Sequence, residues 1–520
     1  MKAKLDELLG ADLRSLAAMR VGVAIVLILD LCQRAGDLEA HYSDFGLAPR
    51  WLVMENLSSR WFFSLHFLSG VWQVQAVLFV AAAVFGLMLL VGYRTRLATV
   101  ASWLLAVSLD VRNFHVLAGG DMLLRAVLFW SMFLPWGARY SVDYAWAAQS
   151  AHERPKRIFS CGTVAFTVQI LLLYWGSALS KSGAEWWREG SAVYYAMSID
   201  YVVTPLGHWL LQLPPAMLKL ATWGVLAYEF LGPFLFFIPW FNGPVRTLAV
   251  FGFIGLHLSI LLTLLIGVFP LISIASSLFF LPSWFWDRLA PKFFPMNSKV
   301  IALYHDVMTL RPISRTGERL YRLFAVHSSI NCVVSAANAS NQGNKSQLSK
   351  WASVLAVVMT VYVVIWNLGN LNALPFKLSD RFRSIGNIVG LDQAWEMFAP
   401  FPAKDDGWYV IPGLLKDGRR VDLYRGGAEI DWRKPRYIAQ TIKNHRWRKF
   451  FELLNKRKFL APAYAGYLCR NWNRSHSGSD TLQDLEIIFM VEWTRPNFAY
   501  FEPRKLSIGN YQCQSDSAKP

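Results

Sequence analysis

Residues 171–187 read LLLYWGSALSKSGAEWW, an apolar run that closes on one lysine, Lys181, set among aromatic residues. A helix this apolar has the reach to enter a bilayer, whose hydrocarbon core takes about 20 helical residues to cross. A lysine at its end has two readings. It snorkels, laying its stem along apolar surface and its ammonium among headgroups, or it is buried, and desolvation then favours the neutral amine. The surrounding chain decides between them.

That chain is short of polar surface. Hydrophobic residues make up 54% and charged residues 17% of its 520 residues, with 23 Trp and 35 Phe, whereas a soluble protein carries roughly 25% charged residues. Apolar runs lie near 16–32, 66–91, 97–111, 122–136, 161–180, 218–240, 247–267, 268–286 and 351–372. They predict a polytopic α-helical membrane bundle of about nine transmembrane helices. The seventh and eighth runs are nearly continuous. Their split is placed near Pro270, because proline removes a donor and clashes with the preceding turn. The first run reads as a retained helix rather than a cleaved signal.

The domain plan follows: a transmembrane domain over 10–290, a basic loop and flexible linker over 291–350, a last helix over 351–372, and a small α+β soluble domain over 373–520. In that last part Asp417-Gly418 marks a hairpin turn, LEIIFMVEWT (485–494) a buried strand, and HRWRKFFELLNK (445–456) a basic amphipathic helix.

The net charge is +17. Basic residues gather in alternate loops, at Arg14, at Arg94 and Arg96, at Arg139 and Arg157, at Arg246 and across 287–350. The positive-inside bias places these loops and the N-terminus in the cytoplasm of a bacterial cell membrane. An odd number of spans then puts the C-terminal region, with 24 Lys+Arg against 16 Asp+Glu, outside. The expected partner is the bilayer, and no basic–aromatic module points to nucleic acid. Cys32, Cys161, Cys332, Cys469 and Cys513 form no metal-ligand pattern, so no metal site is predicted. Cys469 and Cys513 share the outer domain, where a disulfide can form; the sequence leaves their pairing open.

Ionisable residues at membrane depth are costly and are default candidates for function. Here they are Lys181, His115, Asp121, Arg125, Glu229 and His257. Asp121 and Arg125 stand four apart and read as a structural ion pair. His257 has a plain reading as a core histidine with a satisfied ring. Glu229, in ATWGVLAYEFLGPF, has no evident partner, and a structural ion pair and a site both stay open. The sharper reading joins Lys181 to Tyr174, Trp175, Trp186, Trp187 and Glu229 in one pocket. A neutral amine there removes a proton from a weakly acidic, flat, apolar molecule dissolved in the membrane, such as a quinol.

Several segments, in order, resemble a known family: VGYRTR (91–96), RNFHVLAGGDMLLRAVLFWSMFLPWGARYSVD (112–143) with its Asn-x-His element and Ser-Val-Asp ending, YWGSALSKSGAEWWREG (174–190), and GLHLSILLTLLIGVFPLISIASSLFF (255–280). The chain resembles vitamin K-dependent gamma-carboxylases and their bacterial relatives, the HTTM (horizontally transferred transmembrane) family. The resemblance implies an integral membrane enzyme that couples oxidation of a reduced vitamin K-like naphthoquinone to carboxylation of protein glutamate. O2 and CO2 would be co-substrates, and an extracytoplasmic protein or peptide the acceptor. It implies that Lys181 is the base acting on the hydroquinone and that His115 and His257 are needed with it. The chain also departs from the animal enzymes. Ser180 precedes Lys181 where they have a second lysine, Leu258, Ser259 and Ile260 replace polar residues, and the C-terminal region is shorter. GLDQAWEMFAPFPAKDDGWYVIPG (390–413) resembles the ending of bacterial members. These departures keep a second reading open, a non-catalytic membrane scaffold or sensor that binds a partner through its C-terminal domain. A transporter working through Glu229 and His257 lacks the internal repeat such proteins show.

Overall fold

The computed structural model describes residues 2–57, 61–147, 155–293, 349–371, 378–494 and 502–513. Its membrane part contains α1 (Leu13–Ala35), α2 (Trp72–Val91), α3 (Thr95–Arg112), α4 (Gly119–Ser131), α5 (Cys161–Ser180), α6 (Pro215–Leu231), α7 (Asn242–Thr263), α8 (Phe269–Ser277) and α9 (Lys350–Asn370). Each stands at one of the expected apolar runs. Among the described residues, however, 6 helices are long and apolar enough to cross a membrane: α1, α2, α5, α6 with its 3-10 extension to Phe237, α7 and α9. The others fall short for physical reasons. α3 carries Arg96, Asp110 and Arg112, α4 has 13 residues, and α8 has 9. Their apolar character answers to packing, and almost every side chain of α4 is buried by its neighbours.

α1 and α5 are central, with 61% and 67% of their apolar windows buried, against 28% for α2 and for α9. The outer faces of α2 and α9 expose Val77, Val80, Val358 and Val361, as lipid-facing helices do. α7 ends at Thr263, a few residues before the expected split. A loop with Gly267 at φ +80 follows, and Pro270 falls in the first turn of α8, where its missing N–H costs no hydrogen bond. The flexible linker and most of the basic loop expected over 291–350 lie outside the described residues.

The C-terminal part is an antiparallel sheet of β1 (Asp405–Val410), β2 (Pro412–Leu415), β3 (Arg420–Asp422), β4 (Leu482–Trp493) and β5 (Arg504–Gln512). β4 is the central strand. β1 and then β2 pair along one edge of it and β5 along the other. The expected hairpin is the β2–β3 turn, with Gly418 at φ +89. The helices are α10 (Asp380–Val389), α11 (His445–Lys456) and α12 (Leu460–Ser475). Cys469 of α12 is bonded to Cys513 just beyond β5, Cα atoms 5.5 Å apart.

The expected amphipathic helix is α11, and part of its basic character is turned inward: His445, Arg446 and Arg448 are buried. Asn444 caps the helix by accepting from the Arg446 and Trp447 amides, and this end enters the bundle. Arg446 donates from Nη1 to Asp121 Oδ2 at 2.6 Å and to the Val116 carbonyl at 3.0 Å, and from Nη2 to Asp30 Oδ1 and Asp121 Oδ1, both at 2.5 Å. Arg34 binds Asp30 at 2.7 Å, Asp110 at 3.0 Å and Asp121 at 2.7 Å. Arg125 faces Asp110 at 3.2 Å and Asp392 at 3.5 Å. The expected Asp121–Arg125 pair is therefore replaced. Both belong to one buried network, and each takes its direct partners from distant parts of the chain, because Asp121 sits where Arg34 and Arg446 converge. The hydrophobic core beneath the sheet also takes in Leu47, Leu52 and Val116, so sheet and bundle share an interior.

A second tie joins the sheet to the loop after α5. Asp406 accepts hydrogen bonds from the Asp200 and Gly407 amides, the Asp200 carbonyl accepts from the Ala439 amide at 3.1 Å, and Lys434 bridges Asp200 and Glu492. Burial first, and then the neighbouring Asp200 charge, push the Asp406 carboxyl well above the ordinary carboxylate range.

Two outcomes follow. Arg446→Met leaves Asp30 and Asp121 short of a cation and is expected to destabilise the protein by about 3–5 kcal/mol, with Arg446→Lys intermediate. Thermal unfolding in lipid nanodiscs measures this, and an unchanged transition would rule out the network as the tie. Asp406, with a raised pKa in the fold, contributes stability that is fully present below the ordinary carboxylate value near ~3.9 and lost as pH rises through the raised one. Asp406→Asn should therefore flatten the decline of stability with rising pH, whatever its own absolute stability.

Candidate functional site

α5 begins at a capping box made by Ser160 and Thr163 and ends with Lys181 as its C-cap. Residues 174, 177 and 181 fall three and four apart and so share one helix face. Along that face runs a line of polar groups inside an apolar wall. Lys181 is 3% exposed. Its Nζ donates to Ser177 Oγ at 2.8 Å and to Glu229 Oε2 of α6. Ser177 Oγ stands 3.2 Å from the same carboxylate oxygen. One turn earlier, the Tyr174 hydroxyl meets His257 Nε2 of α7 at 2.9 Å. The Tyr174 ring packs on Phe253 and the His257 ring on Phe269.

Lys181 is thus buried and does not snorkel, but the reason first given for a neutral amine changes. Desolvation does not act alone, because Glu229 supplies the opposite charge. A lysine–carboxylate pair is net neutral whichever atom holds the shared proton, and this lets two ionisable groups lie in an apolar interior. Glu229, which showed no partner in the sequence, has Lys181. An ammonium has three donors; Ser177 and Glu229 take two, and the Nζ also lies 4.9 Å from the Trp186 ring centroid.

The surrounding loop is built by its own aromatics and by a strap from the C-terminal part. The Trp187 indole donates to the Lys181 carbonyl at 2.6 Å, and the Trp186 indole donates to the Phe398 carbonyl at 3.0 Å. The Gly183 amide donates to the Pro400 carbonyl at 2.9 Å. Any side chain at Gly183 would meet that carbonyl and Phe401. Lys404 pairs with Glu185 at 2.5 Å. Behind α5, Trp395 packs on Gly176, and Gln393 exchanges hydrogen bonds with Gln169, which accepts from Trp130. Residues 390–404 therefore hold the lysine loop from two sides.

The structure brings Lys181, Glu229, Trp186, Tyr174 and His257 into one region. Trp187 stands at its rim, half of it exposed. Trp175 turns to the outer side, bonded to the Phe230 carbonyl and tilted against the Phe234 ring. His115 stands with another group. Asn113 caps its amide, and its ring lies against Phe114 and Phe459 beneath the sheet. Burial, followed by the charge of Arg457, pushes its imidazole down to about 4. Sequence reasoning missed Ser177, Glu185, Lys404 and the strap. It also missed Asp30, Arg34, Asp110 and Arg446. The signal for Asp30 and Arg34 was present, as two opposite charges four apart inside the first apolar helix.

A helical membrane protein with a charge-paired lysine at the end of a central helix, roofed by a sheet domain, is the class these features define. Its family is equally plain. Residues 10–284 match the HTTM domain, more than half of the chain, and the protein belongs to the HTTM domain family. No curated protein and no solved structure matches it.

Glu229→Gln should strand Lys181 as an unpaired buried cation and destabilise the protein by roughly 3 kcal/mol. The double change to Lys181→Met with Glu229→Gln should recover most of that, against Lys181→Met alone as the other single variant. A double-mutant cycle read by thermal unfolding decides it, and additive effects would show that the two groups do not interact.

Proposed function

We propose that this protein is an integral membrane enzyme of the carboxylase-related kind, in which Lys181 and Glu229 manage the proton of a hydroquinone drawn from the bilayer. The observation that carries the reading is the buried Lys181–Ser177–Glu229 group on one face of α5, in line with Tyr174 and His257. The residues fit such a molecule. Glu229 keeps an exposed edge, with 11% of its side chain accessible. The apolar side chains of Leu179, Trp187, Phe230 and Leu231 are exposed nearby, a suitable approach from lipid. Nδ1 of His257 has no hydrogen-bond partner among the described residues.

A reduced naphthoquinone, when bound, would supply with O2 the oxidation that drives proton removal from an unactivated glutamate carbon, to which CO2 then adds. The chain's own part is narrower. Glu229 takes up a phenolic proton. Lys181, fixed by Ser177, balances the negative charge that remains. His257 fixes the Tyr174 hydroxyl, and the Trp186 ring shields the ammonium from water. In this reading the C-terminal domain lies outside the cell, the short helices α3, α4 and α8 complete nine crossings, and the acceptor is an extracytoplasmic protein or peptide. The Cys469–Cys513 bond supports that side, since disulfides persist in oxidising compartments.

The test is purified protein in nanodiscs given reduced naphthoquinone, O2 and labelled bicarbonate with glutamate-containing peptides. Label in peptide, or quinone epoxide, is expected, reduced at least ~100-fold by Lys181→Ala, as loss of a group that stabilises developing negative charge typically does. Folded protein that forms neither product overturns the enzymatic reading in favour of a scaffold or sensor.

A further inference from the structure

Protein interiors leave few voids larger than a water molecule, yet the layer between the sheet and α11 holds a cavity of about 400 Å³, the size of a small-molecule site. Strand register explains its wall. Tyr409 pairs with Phe489 and Gly407 with Val491, and Phe489 also pairs with Leu506, so these residues share one face of the sheet. Phe451, Arg448 and Glu452 of α11 stand opposite. The wall is aromatic and aliphatic except at the α11 side and at Asp405, the first residue of β1.

One buried donor lines this cavity without an acceptor. Arg448 is 7% exposed. Among the described residues, Arg448 Nε has no hydrogen-bond partner. Buried donors without acceptors are rare, because each forfeits its hydration. The charge balance points the same way. Arg448, Lys449 and Lys456 all converge on the single Glu452 carboxylate, at 3.5, 2.9 and 3.7 Å, so cations outnumber the acid on the α11 side, while the other acid of the lining, Asp405, stands on the β1 side.

We propose that the cavity binds an apolar monocarboxylate, an acyl or aryl acid, with its carboxylate on Arg448 and its body against Tyr409, Phe451 and Phe489. An unpaired guanidinium N–H and the cations gathered at the α11 end of a largely apolar chamber select for that combination. A neutral hydrocarbon would leave the donor unmet, and a multiply charged anion would lose more hydration than the apolar wall returns. This site is separate from Lys181 and does not depend on the reading given to that residue.

The probe is cis-parinaric acid, titrated by fluorescence polarisation into the full chain in zwitterionic nanodiscs, with its methyl ester as neutral control and empty nanodiscs as the membrane blank. The acid is expected to bind saturably at one site per chain, about tenfold more tightly than the ester, the scale of one charge-assisted hydrogen bond. Arg448→Gln should bring the acid down to the ester's affinity. Leu506→Trp, at the half-exposed rim, should block both probes while keeping the charges. Signal no greater than in empty nanodiscs, equal affinity of acid and ester for the unaltered chain, or binding untouched by both substitutions would each overturn the proposal.

Discussion

Asp30, Asp110 and Asp121 carry their carboxylates into the packed end of the bundle, and the protein is arranged around the cost of keeping them there. An isolated buried charge costs several kcal/mol even after relaxation. Arg34 satisfies part of the demand from within α1. The remainder is met from a residue more than 300 positions away, since Arg446 donates to Asp30 and Asp121 from the first turn of α11. Asp121 also accepts from the Ala118 amide at the start of its own helix. The bundle end is therefore incomplete without the C-terminal part. That part in turn buries a guanidinium that only the bundle can neutralise. Reciprocal need of this kind, together with the shared core at Leu47, Leu52 and Val116, makes the sheet a roof over the bundle rather than a tethered module.

Docking has a consequence for Lys181. Once Arg446 is seated, His445 lies against Gly267 in the α7–α8 loop, and the strand β1 starts beside the loop that follows α5. The strap before β1 then has little freedom. Asp392 meets Arg125, Gln393 and Trp395 enter behind α5, the Pro400 carbonyl takes the Gly183 amide, and Lys404 closes on Glu185. The loop holding Lys181 is thus fixed through the same segment that ends in the sheet. Geometry at the lysine depends on the charge network although the two share no residue.

Much of this was legible in the sequence because it rests on local pattern. Apolar runs located the helices, Asp417-Gly418 located the hairpin, and 485–494 located the core of the central strand, since turn chemistry and short-range hydrophobicity act over a few residues. Lys181, Glu229 and His257 drew attention by cost alone. Partners were another matter. Glu229 and Lys181 are 48 positions apart, and nothing local says that α5 and α6 face each other there. The same limit applies to α11. It is the amphipathic helix its hydrophobic period predicts, but nothing local says that Arg446 meets Asp30 and Asp121. The Asp121–Arg125 expectation failed because spacing four apart permits a pair without ruling out better partners. His115, on its short 3-10 turn, also drew attention by cost, with its role supplied by the family resemblance, and its place against Phe459 depends on how α11 and α12 dock.

The pairing of Lys181 with Glu229 also alters what this end of α5 can do with a proton. A solitary neutral amine in an apolar wall becomes a cation when it accepts a proton, and low dielectric penalises each charge so created. The pair starts from one positive and one negative group. In the proposed chemistry the carboxylate takes up a proton, the ammonium remains to balance the anion that lost it, and the net charge of the assembly does not change. Ser177, bonded to Lys181 and close to Glu229, keeps the two in register through that exchange. The aromatic wall then serves a different purpose from the one desolvation alone would give it. It need not strip the lysine of its proton. It keeps water from competing for the ammonium, and in that setting a single fixed cation exerts its strongest pull on a neighbouring negative charge.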